Sequence, residues 1–373
     1  MEVKNKKSSN KIDSLMGLRF LFALGIFIHH FDMFSDMNIP NYDKYSNVFF
    51  EGFIGVNFFY ILSGFIISYC YMEKMRQKEI GAGEFMYKRI ARIWPVHVLT
   101  LVIAIISYTS TLSALFSKAG IINLTMMQSY IPLDGYAFNF NGVSWSLSTE
   151  MFFYISFCFL VFLPEKHIRY LFGTLVGIMF VCFFQGINNI QNPLWLIYVN
   201  PGFRILDFLA GILINQLFAK NYIKNISTKQ ATILEIGSIV ILIIMFYLGV
   251  KQYFSVFVRY DLYYLLPVSA LVYIFAINKG IISKILGNKF LVYLGECSFT
   301  FYMIHQIVLA HVKRNFYNEI TSMVDVFIWG GLALIITLIL SVGLFYLYEI
   351  PASKALLKLR YNIIKQLKSK KTI

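Results

Sequence analysis

Arg19 and His30 bracket an otherwise apolar run, Arg19-Phe-Leu-Phe-Ala-Leu-Gly-Ile-Phe-Ile-His29-His30. On a helix the step from Arg19 to His30 is almost three whole turns, so the two share one face, roughly 16 Å apart along the axis. His29 falls about a quarter-turn off that face. A cation and an imidazole on one stripe of a lipid-embedded helix are costly to keep, which marks the pair as a functional site. A guanidinium can hold an anion, and an imidazole can take a proton or carry an acyl group.

Other ionisable residues join this pair once the apolar segments are oriented. Ser144-Trp145-Ser146-Leu147-Ser148-Thr149-Glu150 enters a span from the outside, which predicts Glu150 at a depth like that of His30. Gly295-Glu296-Cys297-Ser298-Phe299-Thr300-Phe301-Tyr302-Met303-Ile304-His305 climbs from the inside and brings Tyr302 and His305 upward. Arg204 and Asp207 lie between the two depths. Tyr87-Lys88-Arg89-Ile90-Ala91-Arg92-Ile93-Trp94-Pro95 sets Arg89 and Arg92 on one helical face at the inner mouth, a fork suited to phosphate. Each has a plainer reading. His30 can be an interhelical packing histidine, Glu150 a counter-ion for Arg204, and Arg89 and Arg92 topology charges. His29, His97, His167 and His311 read as structural or loop histidines.

The elements that must position these groups are membrane helices. Apolar residues make up 58% of the 373 and charged residues 14%, against about a quarter charged in a soluble domain. The formal charge of +14 sits in short loops between apolar segments, so no nucleic-acid partner is expected. The four cysteines, Cys70, Cys158, Cys182 and Cys297, show neither a disulfide framework nor zinc-ligand spacing, and no metal is implied. The fold class is therefore all-α, a polytopic membrane helix bundle.

Runs near 15–34, 50–71, 93–115, 145–163, 169–186, 195–218, 230–250, 260–278, 290–311 and 324–348 predict about ten transmembrane helices. One set of loops carries 25 Lys and Arg; the other carries six, Lys44, Lys118, Lys251, Arg259, Lys313 and Arg314. The positive-inside rule then puts both termini in the cytoplasm. The cationic start lacks a small-residue cleavage site, so the first span is expected to be retained. Residues 1–13 read as a cytoplasmic N-terminal basic segment, 14–350 as the membrane-embedded unit and 351–373 as a basic cytoplasmic tail. Asn200-Pro201-Gly202 breaks the sixth run, as is tolerated where backbone faces protein or water. The loop at 118–144 has few charges and is expected to dip back toward the membrane. With no second soluble domain in view, the chemistry falls to the membrane unit or a separate partner.

Six segments, in this order, resemble the acyltransferase-3 family of integral-membrane acyltransferases: Arg19-x10-His30; Gly55-Val56-Asn57-Phe58-Phe59-Tyr60-Ile61-Leu62-Ser63-Gly64-Phe65; Arg89-x2-Arg92 with Pro95; Trp145 to Glu150 with Phe153-Tyr154; Arg204-x3-Phe208-x2-Gly211; and Gly295, Ser298, Tyr302-x2-His305. The resemblance covers about 13–351. It departs from the family pattern in the tandem His29-His30, where helical phase and the ten-residue gap select His30, and in Met151 after Glu150.

The resemblance implies O-acyl transfer, in the first instance O-acetyl transfer, from cytoplasmic acyl-CoA to a hydroxyl of an extracytoplasmic or lipid-linked glycan at a bacterial cytoplasmic membrane. His30, Arg19 and Glu150 are then the catalytic candidates. Arg89, Arg92, Tyr302 and His305 are candidates for the donor, and Trp145, Ser146 and Arg204 for the acceptor. His30 would act as general base on a sugar hydroxyl or as nucleophile through an acyl-imidazole; the base needs one barrier fewer, with Glu150 expected to orient the ring. A transporter or flippase of polysaccharide or lipid-linked glycan is the alternative, and a non-catalytic assembly subunit a further one. Coenzyme A binding separates the enzyme from both.

Overall fold

The computed structural model describes residues 12–109, 111–133, 135–184, 191–220 and 225–370. Lys4, Lys6, Lys7 and Lys11 of the basic N-terminal segment, and Lys371 of the tail, lie outside the described residues. Among the described residues the chain is helical, and eight stretches are long and apolar enough to cross a membrane. The long helices are α1 (Asp13–His29), α2 (Ile54–Arg76), α3 (Ala82–Thr109), α4 (Trp145–Leu160), α5 (Glu165–Phe184), α6 (Pro201–Ala219), α7 (Thr228–Val250), α8 (Leu262–Ala276), α9 (Lys289–Asn315), α10 (Met323–Leu344) and α11 (Ile350–Lys370).

Two of the expected spans fall outside those eight for different reasons. Helix α8 has only 15 residues. Helix α9 has 27, but Lys289, Glu296, His305, Lys313 and Arg314 dilute its apolar character. Of these, His305 is buried within the bundle.

Helix α6 is central: 78% of its stretch is buried, against 11% for the peripheral α5. It starts where the sequence breaks. A π-helical turn at Trp195–Val199 ends at Asn200, whose side chain accepts from the Gly202 amide, and Pro201 opens the new helix with no amide to leave unpaired. Helix α2 lies directly on α6 because Gly64 has no side chain; a β-carbon there would sit 2.0 Å from the Phe208 carbonyl oxygen. Gly295 likewise lets α9 approach α1, where a β-carbon would meet the Met16 carbonyl at 2.0 Å. Small residues at such crossings are the usual means of close helix packing in a membrane. The α1–α9 contact is the one that brings His30 and His305 together.

The loop at 118–144 folds into the bundle through buried polar groups. His97 and the Asn123 carbonyl lie 2.7 Å apart, Gln128 donates to the Ser144 carbonyl at 2.9 Å, and Asn141 donates to the Met303 carbonyl at 2.9 Å. The basic tail from Ile350 is a helix that returns to α3, where Tyr87 donates to the Leu356 carbonyl at 2.7 Å.

Candidate active site

Helix α1 ends at His29, and His30 opens a 3-10 segment, His30–Met37. That change of winding carries His30 off the helix and against α9. His30 Nδ1 is 2.9 Å from the Ile26 carbonyl and 3.1 Å from His305 Nε2, while His305 Nδ1 is 2.6 Å from the Tyr302 carbonyl. A carbonyl can only accept, so this network assigns the proton to Nδ1 of both rings. His305 Nε2 is then an acceptor for the His30 Nδ1–H. The free lone pair of the chain of bonds is left on His30 Nε2, the form a base or nucleophile requires.

Below this pair lies a cavity of about 170 Å³ lined by residues of α1, α2, α3, α4 and α9. Arg19, Arg89, Arg92 and Glu150 line it, as do Ser146 and Tyr302. Tyr302 Oη lies 2.8 Å from Ser146 Oγ and donates to the Val143 carbonyl at 3.0 Å. Arg89 donates to the Tyr71 hydroxyl at 2.8 Å and lies 5.0 Å over that ring. Arg92 meets Glu349 at 2.5 Å, and Thr300 donates to the same carboxylate. The Nε–H groups of Arg19 and Arg89 are buried with no hydrogen-bond partner. Buried donors are ordinarily satisfied. Three guanidinium groups against Glu150 and Glu349 leave the cavity with a surplus of positive charge and two donors open.

Glu150 is placed differently from the sequence expectation. It accepts from Ser63 at 3.0 Å and lines the cavity with the arginines. Ser146, one helical turn above it, is already level with Tyr302, and His305 is a further turn outward. By helix rise Glu150 lies roughly 10 Å below His30. The groups that orient the His30 ring are therefore the Ile26 carbonyl and His305.

Nor does Glu150 neutralise Arg204. Arg204 is fully buried and pairs with Asp207 at 2.8 Å and Asp261 at 3.7 Å. Trp145 is 4% exposed, with its ring 4.8 Å from that of Tyr198. Arg204 and Trp145 do not line the cavity below His30, whereas Ser146 does. Glu349 was not picked out by sequence reasoning. The available signal was an acidic residue at the end of the last span, next to the basic tail. Ser63, Tyr154 and Ser298, which lie within the six matching segments but were given no role there, also line the cavity.

Comparison with known proteins shows the family of the chain. The pattern of a family described as an acyltransferase domain matches residues 12–346. The chain belongs to the acyltransferase-3 family. It is 26% identical over 328 residues to acyltransferase MdmB of Streptomyces mycarofaciens, covering 82% of this chain and 80% of that one. It is 25% identical over 354 residues to O-acetyltransferase OatA of Staphylococcus aureus, covering 84% of this chain and 54% of that one. The chain thus spans about half the length of that O-acetyltransferase. No solved structure matches this acyltransferase-3 chain. With its apolar helices it is a multi-pass membrane protein of an acyltransferase family.

Expected result at His305. In this acyltransferase-3 chain His305→Ala removes the acceptor that holds the His30 Nδ1–H, and turnover falls about 100-fold, as misplacing a reacting group by about an ångström costs. Donor affinity stays unchanged. His305→Gln, whose amide oxygen accepts the same hydrogen bond, recovers most of the rate. A purely structural His305 would lose donor binding and turnover together, with no rescue by glutamine.

Proposed function

We propose that the protein is a membrane O-acyltransferase that moves an acyl group, acetyl in the first instance, from cytoplasmic acyl-CoA to a hydroxyl of an extracytoplasmic or lipid-linked glycan. The observation that carries this reading is one cavity joining an arginine cluster with open donors to the tyrosine and serine beside the His30–His305 pair. The relative named as an O-acetyltransferase supports acetyl as the group and a hydroxyl as its acceptor. Residues 14–350 form the acyltransferase unit, in a bacterial cytoplasmic membrane with both termini inside.

Arg19, Arg89 and Arg92 hold the donor's phosphates at the inner mouth, where guanidinium groups give short charge-assisted bonds. Glu150 and Glu349 are positioning residues that keep the arginines apart and aimed. The pantetheine arm extends along the cavity toward Tyr302 and Ser146, whose hydroxyls meet the thioester carbonyl.

His30 Nε2 takes the proton of the acceptor hydroxyl as its oxygen attacks the carbonyl carbon. The new C–O bond forms, the C–S bond breaks, and the coenzyme A thiolate leaves with the proton returned from the His30 imidazolium. Throughout, His305 accepts from Nδ1 and holds the ring in place. The base role is favoured over an acyl-imidazole because transfer is then a single displacement.

Donor affinity tests this reading. Arg19→Gln and Arg89→Gln each remove a cavity guanidinium, and each is expected to raise the Kd for acetyl-CoA about tenfold, in line with about 1.5 kcal/mol for a hydrogen bond to a charged group. Isothermal titration in detergent reads it. Binding that is absent in the wild type, or untouched by both substitutions, removes the donor from this cavity.

A further inference from the structure

A second cavity, of about 570 Å³, opens beside Asp32, just past His30 in the chain. One wall is the segment before α2, with Ser46, Asn47 and Phe50; the other is the loop after α7, with Gln252, Tyr253 and Phe254. These walls are locked together. Arg259, 4% exposed, pairs with buried Glu51 and donates to the carbonyls of Gly249 at 3.1 Å and Phe254 at 3.2 Å. Tyr264 donates to the same Glu51 at 2.5 Å. Across the mouth, Gln252 Nε2 donates to Asn47 Oδ1 at 2.6 Å. A buried ion pair is expensive to desolvate. Here it fixes the two walls of a cavity that the donor reading leaves unused.

The lining has a definite chemistry. Tyr253 is 70% exposed and Phe254 46%, and they stand beside the amides of Asn47 and Gln252 and the carboxylate of Asp32. Exposed aromatic rings near a membrane edge ordinarily belong to the interfacial belt. These two instead line a polar cavity. Flat apolar faces beside side chains that both donate and accept suit a pyranose ring, whose C–H face lies on an aromatic ring while its hydroxyls bond the amides and the carboxylate. Arg259 is already engaged, so the lining favours a neutral polyhydroxylated ligand over a phosphate. The cavity's wall at Phe50 approaches the histidines. The Phe50 ring is 5.8 Å from that of His29, which is 5.2 Å from that of His30.

We infer that this outer cavity is the acceptor subsite, holding a neutral pyranose unit with one hydroxyl directed past Phe50 to His30, and that Tyr253 and Asn47 are residues that determine which acceptor is taken. The inference rests on the acyl-transfer reading above. In the test, permeabilised cells of the source strain receive radiolabelled acetyl-CoA, and label is counted in their own ethanol-insoluble envelope glycan, beside acetyl-CoA binding to each purified variant. Tyr253→Ala with Asn47→Ala is expected to lower glycan labelling at least about tenfold, equivalent to about 1.4 kcal/mol of acceptor binding, with donor affinity unchanged. Tyr253→Trp keeps an aromatic face and is expected to label well above Tyr253→Ala. Labelling by the double variant within about twofold of wild type, or a tryptophan variant no better than alanine, overturns the subsite. Wild type that transfers no label, or a His30→Ala variant that transfers as well as wild type, overturns the acyl-transfer reading and the subsite with it.

Discussion

Replacing His30 by alanine is expected to lower acyl transfer on the order of 10³-fold, about 4 kcal/mol of transition-state stabilisation, while leaving the affinity for acetyl-CoA unchanged. The split follows from where the ring sits. Its Nδ1 is engaged by the Ile26 carbonyl and His305 Nε2, at 2.9 and 3.1 Å. Nε2 is the atom with a lone pair to offer. None of the arginines that would meet the donor touches this ring, so its loss leaves the inner cavity and its charges in place. Asparagine is the sharper control, because its side chain can keep a donor toward the Ile26 carbonyl yet offers no basic nitrogen. His30→Asn is therefore expected to be as inactive as His30→Ala and as well folded as wild type. Single-turnover transfer and donor titration on the same preparation check both halves.

Arg204→Met is expected to be lost at the level of folding. Arg204 is fully buried, between the rings of Tyr60 and Tyr198 at 5.1 and 5.8 Å. It donates to the Tyr260 carbonyl at 2.5 Å and pairs with Asp207 and Asp261, both fully buried. Taking away the cation leaves two carboxylates in the centre of the bundle with no counter-charge, a change worth about 3–5 kcal/mol. That is a large part of a typical folding free energy of about 5–15 kcal/mol. The triple change Arg204→Met, Asp207→Leu, Asp261→Leu removes all three charges and is expected to recover much of the loss, because apolar replacements of a whole buried ion cluster are often tolerated. Thermal stability in detergent, followed by size-exclusion chromatography, reads both. A well-folded Arg204→Met protein with a raised acceptor requirement would instead return Arg204 to the acceptor site.

The sequence made the helices legible because membrane spans announce themselves by length and apolarity. It also grouped His30, His305, Glu150 and Tyr302 and set Arg89 and Arg92 apart from them; Arg19, Arg89, Arg92, Glu150, Ser146 and Tyr302 line one cavity, and His305 lies against His30. What it could not supply was which charges meet. Glu150 was read at the depth of His30 from its distance along α4, and it lines the cavity with the arginines and accepts from Ser63. Arg204 looked like a ligand-binding cation because its partners are distant or ambiguous in sequence: Asp207 is one turn away, but Asp261 comes from a different helix. The Glu51–Arg259 pair was hidden for the same reason, its members standing 208 positions apart. Arg259 was legible only as one of the six positive charges on the outer side.

The most direct measurement is the side of the membrane from which the donor is used. The protein is reconstituted in sealed vesicles, sorted by orientation with a tag on the basic tail, and given radiolabelled acetyl-CoA on one face only. Transfer to a glycan acceptor on the opposite face, seen when the donor is on the Arg89 and Arg92 side and absent in His30→Ala, is the result predicted. Donor use from the other face alone, or no transfer from either while the vesicles move glycan across the membrane, would contradict the account and make transport the better description.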